Sequence, residues 1–298
     1  MPDSVLAQLS DQLAAAVERA AHSTVLVNAR RRLPASGIAW AANAILTCDH
    51  VLEREDDITV ELEDGRGVPA TIAGRDPGSD LAVLRVEAPL SPIEHAPEGS
   101  ARVGSIVLAL GRPSSEGVQA SFGIVGAVGG AWRTFRGTLV GGYLRTDTTF
   151  FPGFSGGPLI DVQGRAVGVN SSRLGRGAGI TLPVAAAAKV ADDLLRRGRV
   201  RRAYLGISSQ PARLTEALAT RLGGQESGLL VVTVEPGSAA DQAGLLLGDI
   251  VVALAGTPTA DTEALQSVLG PELAGEPTTL RILRGGEPRE LTITPGER

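Results

Sequence analysis

Residues 150–161 of the chain read FFPGFSGGPLID and place Ser155 between Gly153 and the pair Gly156 and Gly157. Glycine is used where the backbone takes conformations closed to other residues, or where another group must approach the chain closely. Both conditions apply to a loop that carries a serine nucleophile. A tight turn between two strands would use the same residues. The rest of the chain has to decide between these two interpretations.

The chain from residue 23 to residue 183 has the pattern of short β-strands. Runs rich in Val, Ile and Leu alternate with Gly, Pro and Asp, and many short strands with frequent turn signals favour a sandwich or a barrel. Alternating residues meet at Asp64 and Gly65, a dipeptide typical of hairpin turns. We therefore predict a mainly β domain over residues 23–198.

Helical patterns flank these strands, and a second domain follows them. Apolar residues at three- and four-residue spacing predict an amphipathic helix within an N-terminal segment, 1–22. A second helix is predicted over 183–198, opened by its proline and ended by its glycine. The remaining residues, 199–298, mix strands with a helix near 261–269. A segment of about 100 residues is near the commonest domain size, so we predict a small α+β domain here.

Composition excludes several classes of protein. The net charge of −5 and the pI near 5.4 argue against binding of nucleic acid or of an anionic membrane surface. The single cysteine, Cys48, forms no internal disulfide, and its predicted role is that of a small buried apolar residue. The cysteine and the three histidines do not have the sequence spacing of a zinc-binding site. Neither a metal nor another cofactor is therefore expected.

The sequence is compatible with two cellular locations of the protein. The N-terminus carries Asp3 where an export signal would be basic, and no apolar run reaches the roughly 20 residues of a membrane span. We expect no transmembrane segment. The chain as written reads as a soluble cytoplasmic protein, whereas a chain already trimmed would be extracytoplasmic.

A serine nucleophile needs a base, and the chain contains three histidines. His22 lies at the end of the N-terminal helix, and His95 lies in a proline-rich stretch typical of a surface loop. His50 directly follows an apolar run, where a rigid strand can hold it. We therefore predict that His50 is the base for Ser155.

The order of these residues separates two folds. The Gly-x-Ser-x-Gly elbow of the α/β-hydrolases requires a histidine after the serine, whereas all three histidines here precede Ser155. Chymotrypsin-like double barrels use the order histidine, aspartate, serine. Asp80 stands at a turn before an apolar strand and is the predicted carboxylate, with Asp76 as its near competitor. Three other aspartates fall in polar or hairpin-tip contexts: Asp56, Asp57 and Asp64.

Four motifs together resemble the HtrA (Deg) family of serine proteases. They are LTCDHV at 46–51, GRDPGSDLAVLRV at 74–86, RTDTTFFPGFSGGPLID at 145–161 and YLGI at 204–207. The resemblance covers nearly the whole chain. It implies a chymotrypsin-like domain of two six-stranded β-barrels followed by one PDZ domain. It also implies that His50 is the general base, Asp80 its orienting carboxylate and Ser155 the nucleophile, with the amides of Gly153 and Ser155 as the oxyanion hole.

The serine loop departs from the family pattern. The family usually reads Asn-Pro-Gly-Asn-Ser-Gly-Gly, where this chain has phenylalanine in both asparagine positions, Phe151 and Phe154. The backbone donors of the oxyanion hole remain, but packing must replace the lost side-chain hydrogen bonds. An alternative hypothesis is that the two aromatic rings hold the loop collapsed until an activator arrives.

The resemblance also places a specificity pocket and a peptide groove. In chymotrypsin-like proteases the residue six before the nucleophile, here Thr149, lines the base of the pocket. With no carboxylate there, and with walls from Phe150, Phe151 and the segment 178–181, we predict a preference for a small uncharged residue such as Val or Ala. The remaining implied residues are the pocket residues Gly179 and Ile180, the peptide-binding amides of Leu205, Gly206 and Ile207, and the groove residues Leu265 and Leu269.

The sequence thus predicts an ATP-independent serine endopeptidase that acts on unfolded or damaged proteins, as in quality control or a stress response. The PDZ domain would capture peptide C-termini or regulate the protease, or would simply pack without a ligand. The alternative of a different class is a weakly proteolytic chaperone or PDZ scaffold. The family implies homotrimers through aromatic contacts, whereas the N-terminal helix carries no aromatic residue.

Overall fold

The computed structural model describes residues 4–134, 138–175 and 179–297. Contacts divide the chain into two compact units, and the division falls after Val200. The sequence-based boundary lies two residues earlier, after the glycine that ends the second helix.

The first unit begins with a helix and a closed six-stranded barrel. Its elements are α1 (Val5–Ala21), β1 (Thr24–Asn28), β2 (Ala35–Ala41), β3 (Ala44–Cys48), a 3₁₀ turn (Asp49–Val51), β4 (Ile58–Glu61), β5 (Gly67–Asp76) and β6 (Leu81–Val86). The strands close in the antiparallel order β1-β2-β3-β6-β5-β4. The predicted hairpin at Asp64 and Gly65 is confirmed as the turn between β4 and β5, where Gly65 has a φ of 81°.

A second barrel follows in the same unit. Its region comprises β7 (Ile106–Ser114), β8 (Gly117–Gly129), β9 (Trp132–Arg133), β10 (Leu139–Val140), β11 (Tyr143–Thr146), β12 (Pro158–Ile160), β13 (Ala166–Ser171), β14 (Ile180–Pro183) and α2 (Val184–Arg197). Six of these strands close in the order β11-β14-β13-β12-β7-β8, and β9 pairs separately with β10. The two closed barrels confirm the predicted double-barrel fold.

Both helices of the first unit pack on the barrels through small apolar residues. In α1, Ala16 and Ala20 are fully buried, whereas Val5 and Leu6 at its start remain exposed. The predicted apolar stripe is therefore covered only along the second half of this helix. The α2 helix ends, as predicted, at Gly198, whose φ of 74° is left-handed.

The side chains predicted to form the site lie where strands of the two barrels end. Pairing of β3 with β6 aligns Cys48 with Leu81 and so brings the turn after β3 beside Asp80. The backbone of Ser36, on β2, donates to the carbonyl of Ser155 at 3.2 Å. The hydroxyl of Ser36 donates to the carbonyl of Gly153 at 2.6 Å. One residue of the first barrel thus anchors the serine loop of the second.

The second unit is a six-stranded sheet with short helices, which matches the predicted α+β domain. Its elements are β15 (Ala203–Tyr204), β16 (Ile207–Arg213), α3 (Glu216–Arg221), β17 (Ser227–Val234), α4 (Ala239–Gln242), β18 (Ile250–Leu254), β19 (Thr257–Pro258), α5 (Thr262–Val268), a 3₁₀ turn (Pro271–Leu273), β20 (Thr278–Arg284), β21 (Glu287–Ile293) and β22 (Gly296–Glu297). The strand order is β16-β17-β18-β20-β21, with β19 paired to β18. Across the described part of the chain, no helix combines the length and apolarity that crossing a membrane requires.

Candidate active site

The partly buried His50 and the buried Asp80 form a bonded pair at the mouth of the first barrel. The Nδ1 atom of His50 lies 2.8 Å from one carboxylate oxygen of Asp80 and 3.0 Å from the other. The backbone amide of His50 also donates to Asp80 at 3.1 Å. Because the carboxylate accepts from Nδ1, the hydrogen sits on that nitrogen and leaves Nε2 as an acceptor. The ring therefore has the tautomer that a general base requires.

Asp80 is held in place by a residue that the sequence analysis missed. The hydroxyl of Ser171, at the end of β13, donates to Asp80 at 2.6 Å. Asp80 itself has a left-handed φ of 58°, a conformation that costs energy outside glycine and is found at functional sites. The rival carboxylate, Asp76, accepts from the amide and hydroxyl of Ser79 and caps that turn. The structure thus brings Asp80 to His50.

The 3₁₀ turn that carries His50 is fixed by a partly buried ion pair. Arg75 donates from Nε to the carboxylate of Asp49 at 2.7 Å. Its second guanidinium nitrogen donates to the carbonyls of Asp49 and Leu52, each at 3.2 Å. One arginine side chain therefore ties down both ends of the turn and limits the motion of the imidazole between them.

Ser155 lies in the same cleft as His50 but bonds elsewhere. Its Oγ is 2.9 Å from the hydroxyl oxygen of Ser172 and accepts from the amide of Ser172 at 3.2 Å. Among the residues that the structure describes, no hydrogen bond joins Ser155 to His50. The structure therefore assembles the imidazole and carboxylate as a bonded pair and leaves the serine hydroxyl turned toward Ser172.

The loop before Ser155 is a type II turn. The amide of Phe154 donates to the carbonyl of Phe151 at 3.0 Å, Pro152 occupies the second position and Gly153, with φ 89°, the third. A side chain at Gly153 would lie 2.6 Å from Pro113, so only glycine fits. Within the described part of the chain, neither the amide of Gly153 nor that of Ser155 has an acceptor, and both remain available to a ligand.

Aromatic packing supports this turn, in agreement with the first of the two sequence-based hypotheses. Phe154 is fully buried in the second barrel, and its ring fills the space beside Gly111, where a Cβ would come within 2.5 Å of it. Phe151 is 43% exposed and meets Phe154 edge to face at 5.3 Å between ring centroids. Both phenylalanine rings therefore pack around the turn.

A cleft of about 820 Å³ contains these groups. It is lined by Arg30, Arg31, Arg32, Leu33, His50, Glu53, Phe150, Phe151, Pro152, Gly153, Ser155, Ser172 and Arg173. Of the predicted pocket residues, Phe150 and Phe151 line it, whereas Thr149 and the buried Ile180 lie outside the lining. The ring of Phe150 covers Gly179, where a Cβ would come within 2.1 Å of it. Ala178, in the predicted wall, lies outside the described residues.

The other two histidines lie elsewhere. His22 caps the end of α1 and pairs with Glu63. His95 stacks on Trp40 at 4.4 Å between ring centroids, and burial lowers its pKa. Neither histidine lines the cleft that contains Ser155.

Cys48 lies behind the His50–Asp80 pair and is fully buried. Ligand atoms of Cys48, His50 and Asp80 lie within 4.8 Å of one another, a donor set that can bind a metal ion. Burial, and next the charge of Asp80, raise the pKa of the Cys48 thiol well above its usual value. The thiol is therefore protonated at neutral pH and donates to the carbonyl of Asn170 at 3.3 Å.

The predicted peptide-binding loop of the second unit precedes the edge strand β16. Gly206 has a φ of 82°, and a Cβ there would lie 2.1 Å from Ser238, so this position requires glycine. Leu205 is buried. Ile207 is partly exposed, and its backbone pairs with Val234 of β17. Of the predicted groove residues, Leu265 of α5 is buried in the core and Leu269, which follows α5, packs against it. An edge strand has unpaired backbone groups that an added peptide strand can use.

Two protein-family models match the chain. One is described as a trypsin-like peptidase domain and matches residues 35–169, and the other as a PDZ domain and matches residues 203–294. The first covers the strands that carry His50 and Asp80 and extends through Ser155. The second covers nearly all of the second unit.

Curated relatives carry protease names. The probable periplasmic serine endoprotease DegP-like of Halomonas elongata is 33% identical over 275 residues, which cover 90% of this chain and 57% of that protein. The periplasmic pH-dependent serine endoprotease DegQ of Escherichia coli K12 is 33% identical over 257 residues, 84% of this chain and 56% of that protein. The chain thus spans a little over half the length of these relatives.

Solved structures match over their full length. The serine endoprotease from Yersinia pestis is 30% identical with a TM-score of 0.76, and the match covers 100% of this chain and 99% of that one. The HtrA-type protease AlgW with a tripeptide is 30% identical with a TM-score of 0.74, covering 96% and 97%. These likenesses confirm the family resemblance that the motifs indicated.

The environment of Cys48 predicts its reactivity. Because the raised pKa keeps the thiol protonated and burial shields it, we expect iodoacetamide at pH 8 to leave Cys48 unmodified in the folded protein. The same reagent should alkylate it fully in guanidinium chloride. Mass spectrometry measures the extent of modification, and rapid alkylation of the folded chain would contradict the raised pKa.

Proposed function

The chain belongs to the HtrA (Deg) family of serine proteases, and from this we propose that it is an ATP-independent serine endopeptidase acting on unfolded or damaged protein. The observation that carries the proposal is the cleft lined by both Ser155 and His50, whose ring is bonded to Asp80. We assign His50 as general base, Asp80 as its orienting carboxylate and Ser155 as nucleophile.

Acylation follows from the protonation states in the cleft. Nε2 of His50 accepts the hydroxyl proton of Ser155 as Oγ attacks the carbonyl carbon of the substrate. Asp80, which accepts from Nδ1, stabilises the imidazolium that results. His50 then donates the proton to the departing amine, and the acyl-enzyme on Ser155 remains. Water, deprotonated by His50, hydrolyses this ester and regenerates the serine.

The glycine turn supplies the oxyanion hole in this proposal. The amides of Gly153 and Ser155 have no acceptor within the described part of the chain, so both can donate to the oxygen that becomes negative in the tetrahedral intermediate. A donor of this kind lowers the barrier by about 3 kcal/mol. Packing of Phe154 against Gly111 supports the turn without the family's asparagine side chains.

Ser172 supports a second candidate function, that of a weakly proteolytic chaperone or PDZ scaffold. Ser155 can attack only after its side chain rotates from the hydroxyl of Ser172, 2.9 Å away, toward His50. Breaking one such hydrogen bond costs about 1 kcal/mol. A penalty of this size slows the enzyme without abolishing catalysis, so we favour an endopeptidase with reduced basal activity.

We propose that the residue before the cleaved bond is small and uncharged. Phe150 covers Gly179 and Phe151 lines the cleft, and together they restrict the space beside Ser155. Thr149 offers no carboxylate to a basic side chain, and its carbonyl accepts from the hydroxyl of Ser121 at 2.7 Å. The arrangement supports Val or Ala at this position.

In the PDZ domain we assign the amides of Leu205, Gly206 and Ile207 to the terminal carboxylate of a peptide. The rest of the peptide would add as a strand along β16, which lies at the edge of its sheet. This arrangement supports capture of substrate C-termini or regulation by peptides. Leu269, which is partly exposed, would contribute apolar surface beside that strand, whereas Leu265 is buried in the core and offers none.

Assembly and compartment belong to the same proposal. The family implies a homotrimer, and exposed Val5 and Leu6 of α1 offer apolar surface that a second copy would cover. The curated relatives are named as periplasmic proteins. Their names support an extracytoplasmic location for this chain over the cytoplasmic alternative.

The nucleophile is tested by covalent labelling. A fluorophosphonate probe should label Ser155, and Ser155→Ala should lose both the label and the cleavage of unfolded casein. Labelling and peptide digestion locate the modified residue.

Asp80→Asn should lower kcat by about 10⁴-fold because it disturbs the tautomer of His50. Asp76→Asn is the matched control and should keep the probe reaction if Asp80 alone orients His50.

The pocket is tested by peptides that differ only in the residue before the cleaved bond. We expect cleavage after Val or Ala, and kcat/KM after Arg at least tenfold lower, since an unpaired charge is costly to desolvate beside Phe150. Mass spectrometry of the products identifies the cleaved bond. Equal kcat/KM values for the Val and Arg peptides would contradict the assigned pocket.

The resting contact of Ser155 is tested by Ser172→Ala. Removal of the competing hydroxyl should raise the rate of fluorophosphonate labelling by about fivefold, the equivalent of 1 kcal/mol. Ser172→Thr retains a hydroxyl and should label at the original rate. A loss of rate in Ser172→Ala would assign Ser172 a supporting role instead.

A further inference from the structure

The cleft around Ser155 is positively charged, opposite in sign to the whole chain. The net charge of the chain is −5. Within the cleft lining a single carboxylate, Glu53, faces four arginines: Arg30, Arg31, Arg32 and Arg173. Walls of one sign concentrate ligands of the opposite charge in a cleft.

Three of these arginines form a loop anchored beside the His50 turn. Arg30, Arg31 and Arg32 follow β1, and Glu53 lies three residues after His50. The Nε atom of Arg30 donates to one oxygen of Glu53, and the backbone amide of Arg31 donates to the other, each at 3.2 Å. The amide of Glu53 donates in turn to the carbonyl of Ala29 at 3.0 Å.

Two guanidinium groups of this loop remain available to a ligand. Both oxygens of Glu53 are occupied by Arg30 and by the backbone of Arg31. The side chains of Arg31 and Arg32 are exposed, and neither forms an ion pair with a residue in the described ranges. The loop therefore presents two exposed guanidinium groups, and Glu53, already bonded to Arg30, is the one carboxylate of the cleft lining near them.

The loop runs along the cleft between the His50 turn and the glycine turn before Ser155. At one end it bonds to Glu53 beside His50, and at the other it continues into Pro34, whose carbonyl lies 2.9 Å from the Cβ position of Gly153. It thus spans from the proposed proton donor to the oxyanion turn. Because His50 protonates the departing amine, the residues after the cleaved bond must leave past His50.

We propose that Arg31 and Arg32 form a subsite for acidic side chains that follow the cleaved bond, so that the preferred substrates carry Asp or Glu there. The inference rests on the proposed endopeptidase function. A guanidinium binds a carboxylate through two parallel hydrogen bonds, a geometry that an amide side chain does not reproduce. The subsite acts on the departing half of the substrate, whereas the Phe150 pocket selects the acyl half.

The test uses three fluorogenic peptides with an identical acyl half that ends in Val. The three residues after the cleaved bond are Asp-Glu-Asp, Asn-Gln-Asn or Lys-Lys-Lys. We expect kcat/KM for the acidic peptide to exceed that of its amide counterpart roughly two- to fivefold, the range of an exposed ion pair, with the lysine peptide lowest. The advantage should shrink as salt rises from about 0.05 M to about 0.5 M.

The double variant Arg31→Gln with Arg32→Gln should lower the acidic-to-amide ratio to about one. Comparison of two peptides within one variant removes any effect of folding or of active-enzyme concentration. Arg66→Gln is the matched control, because Arg66 is exposed, pairs with Asp64 and lies outside the cleft lining, and it should keep the original ratio.

The outcomes separate the subsite from the function on which it depends. Equal kcat/KM for the acidic and amide peptides in the parent protein would overturn the subsite and leave the endopeptidase standing. A preference that persists in the double variant would likewise overturn the role of Arg31 and Arg32. If none of the three peptides is cleaved and fluorophosphonate labels no residue, both the proposed function and the subsite are overturned.

Discussion

The buried carboxylate of Asp80 is the constraint on which the site depends. An ionised carboxylate removed from water is tolerated only where hydrogen bonds replace its hydration. Three donors do so here: the amide and Nδ1 of His50 and the hydroxyl of Ser171. Two come from the turn after β3 and the third from the end of β13, so the charge joins both barrels. These hydrogen bonds orient the imidazole of His50, which in the proposed mechanism is the condition for base catalysis at Ser155.

The type II turn before Ser155, the proposed oxyanion hole, shows how one backbone geometry can be stabilised by different side chains. Pro152 and the positive φ of Gly153 define the type II turn, and the surroundings then have to hold it. In this chain the buried ring of Phe154 against Gly111 provides that support through close packing. Ser36 adds hydrogen bonds to the carbonyls of Gly153 and Ser155. The turn therefore depends on the first barrel as well as on its own sequence.

Activity and selectivity are adjusted by groups around the triad. The hydroxyl of Ser172 competes with His50 for the hydroxyl of Ser155 through a hydrogen bond of about 1 kcal/mol. In the proposed mechanism this bond lowers the rate of attack by Ser155 and leaves the catalytic steps unchanged. In the proposed subsite, the Arg31 and Arg32 side chains would contribute charge on the departing side, where Glu53 is the one carboxylate of the cleft lining that the structure describes. In the proposed pocket, the Phe150 ring would restrict the size of the residue on the acyl side. Each of these groups would act on one step or on one half of the substrate.

Local patterns in the sequence determined the strands, the hairpin at Asp64 and Gly65, both helix ends of α2 and the glycine turn, because neighbouring residues alone set those signals. Chain order, with every histidine before Ser155, also excluded the α/β-hydrolase elbow, and the position of Asp80 before an apolar run distinguished it from Asp76. The hydrogen-bond partners of the polar side chains could not be predicted in this way, because barrel closure brings them together from distant parts of the chain. Ser171 meets Asp80 from 91 residues away, and no periodicity or motif reports such a contact. Only the tertiary structure decided that Ser155 faces Ser172 and that an arginine loop borders His50, since barrel closure sets these distances.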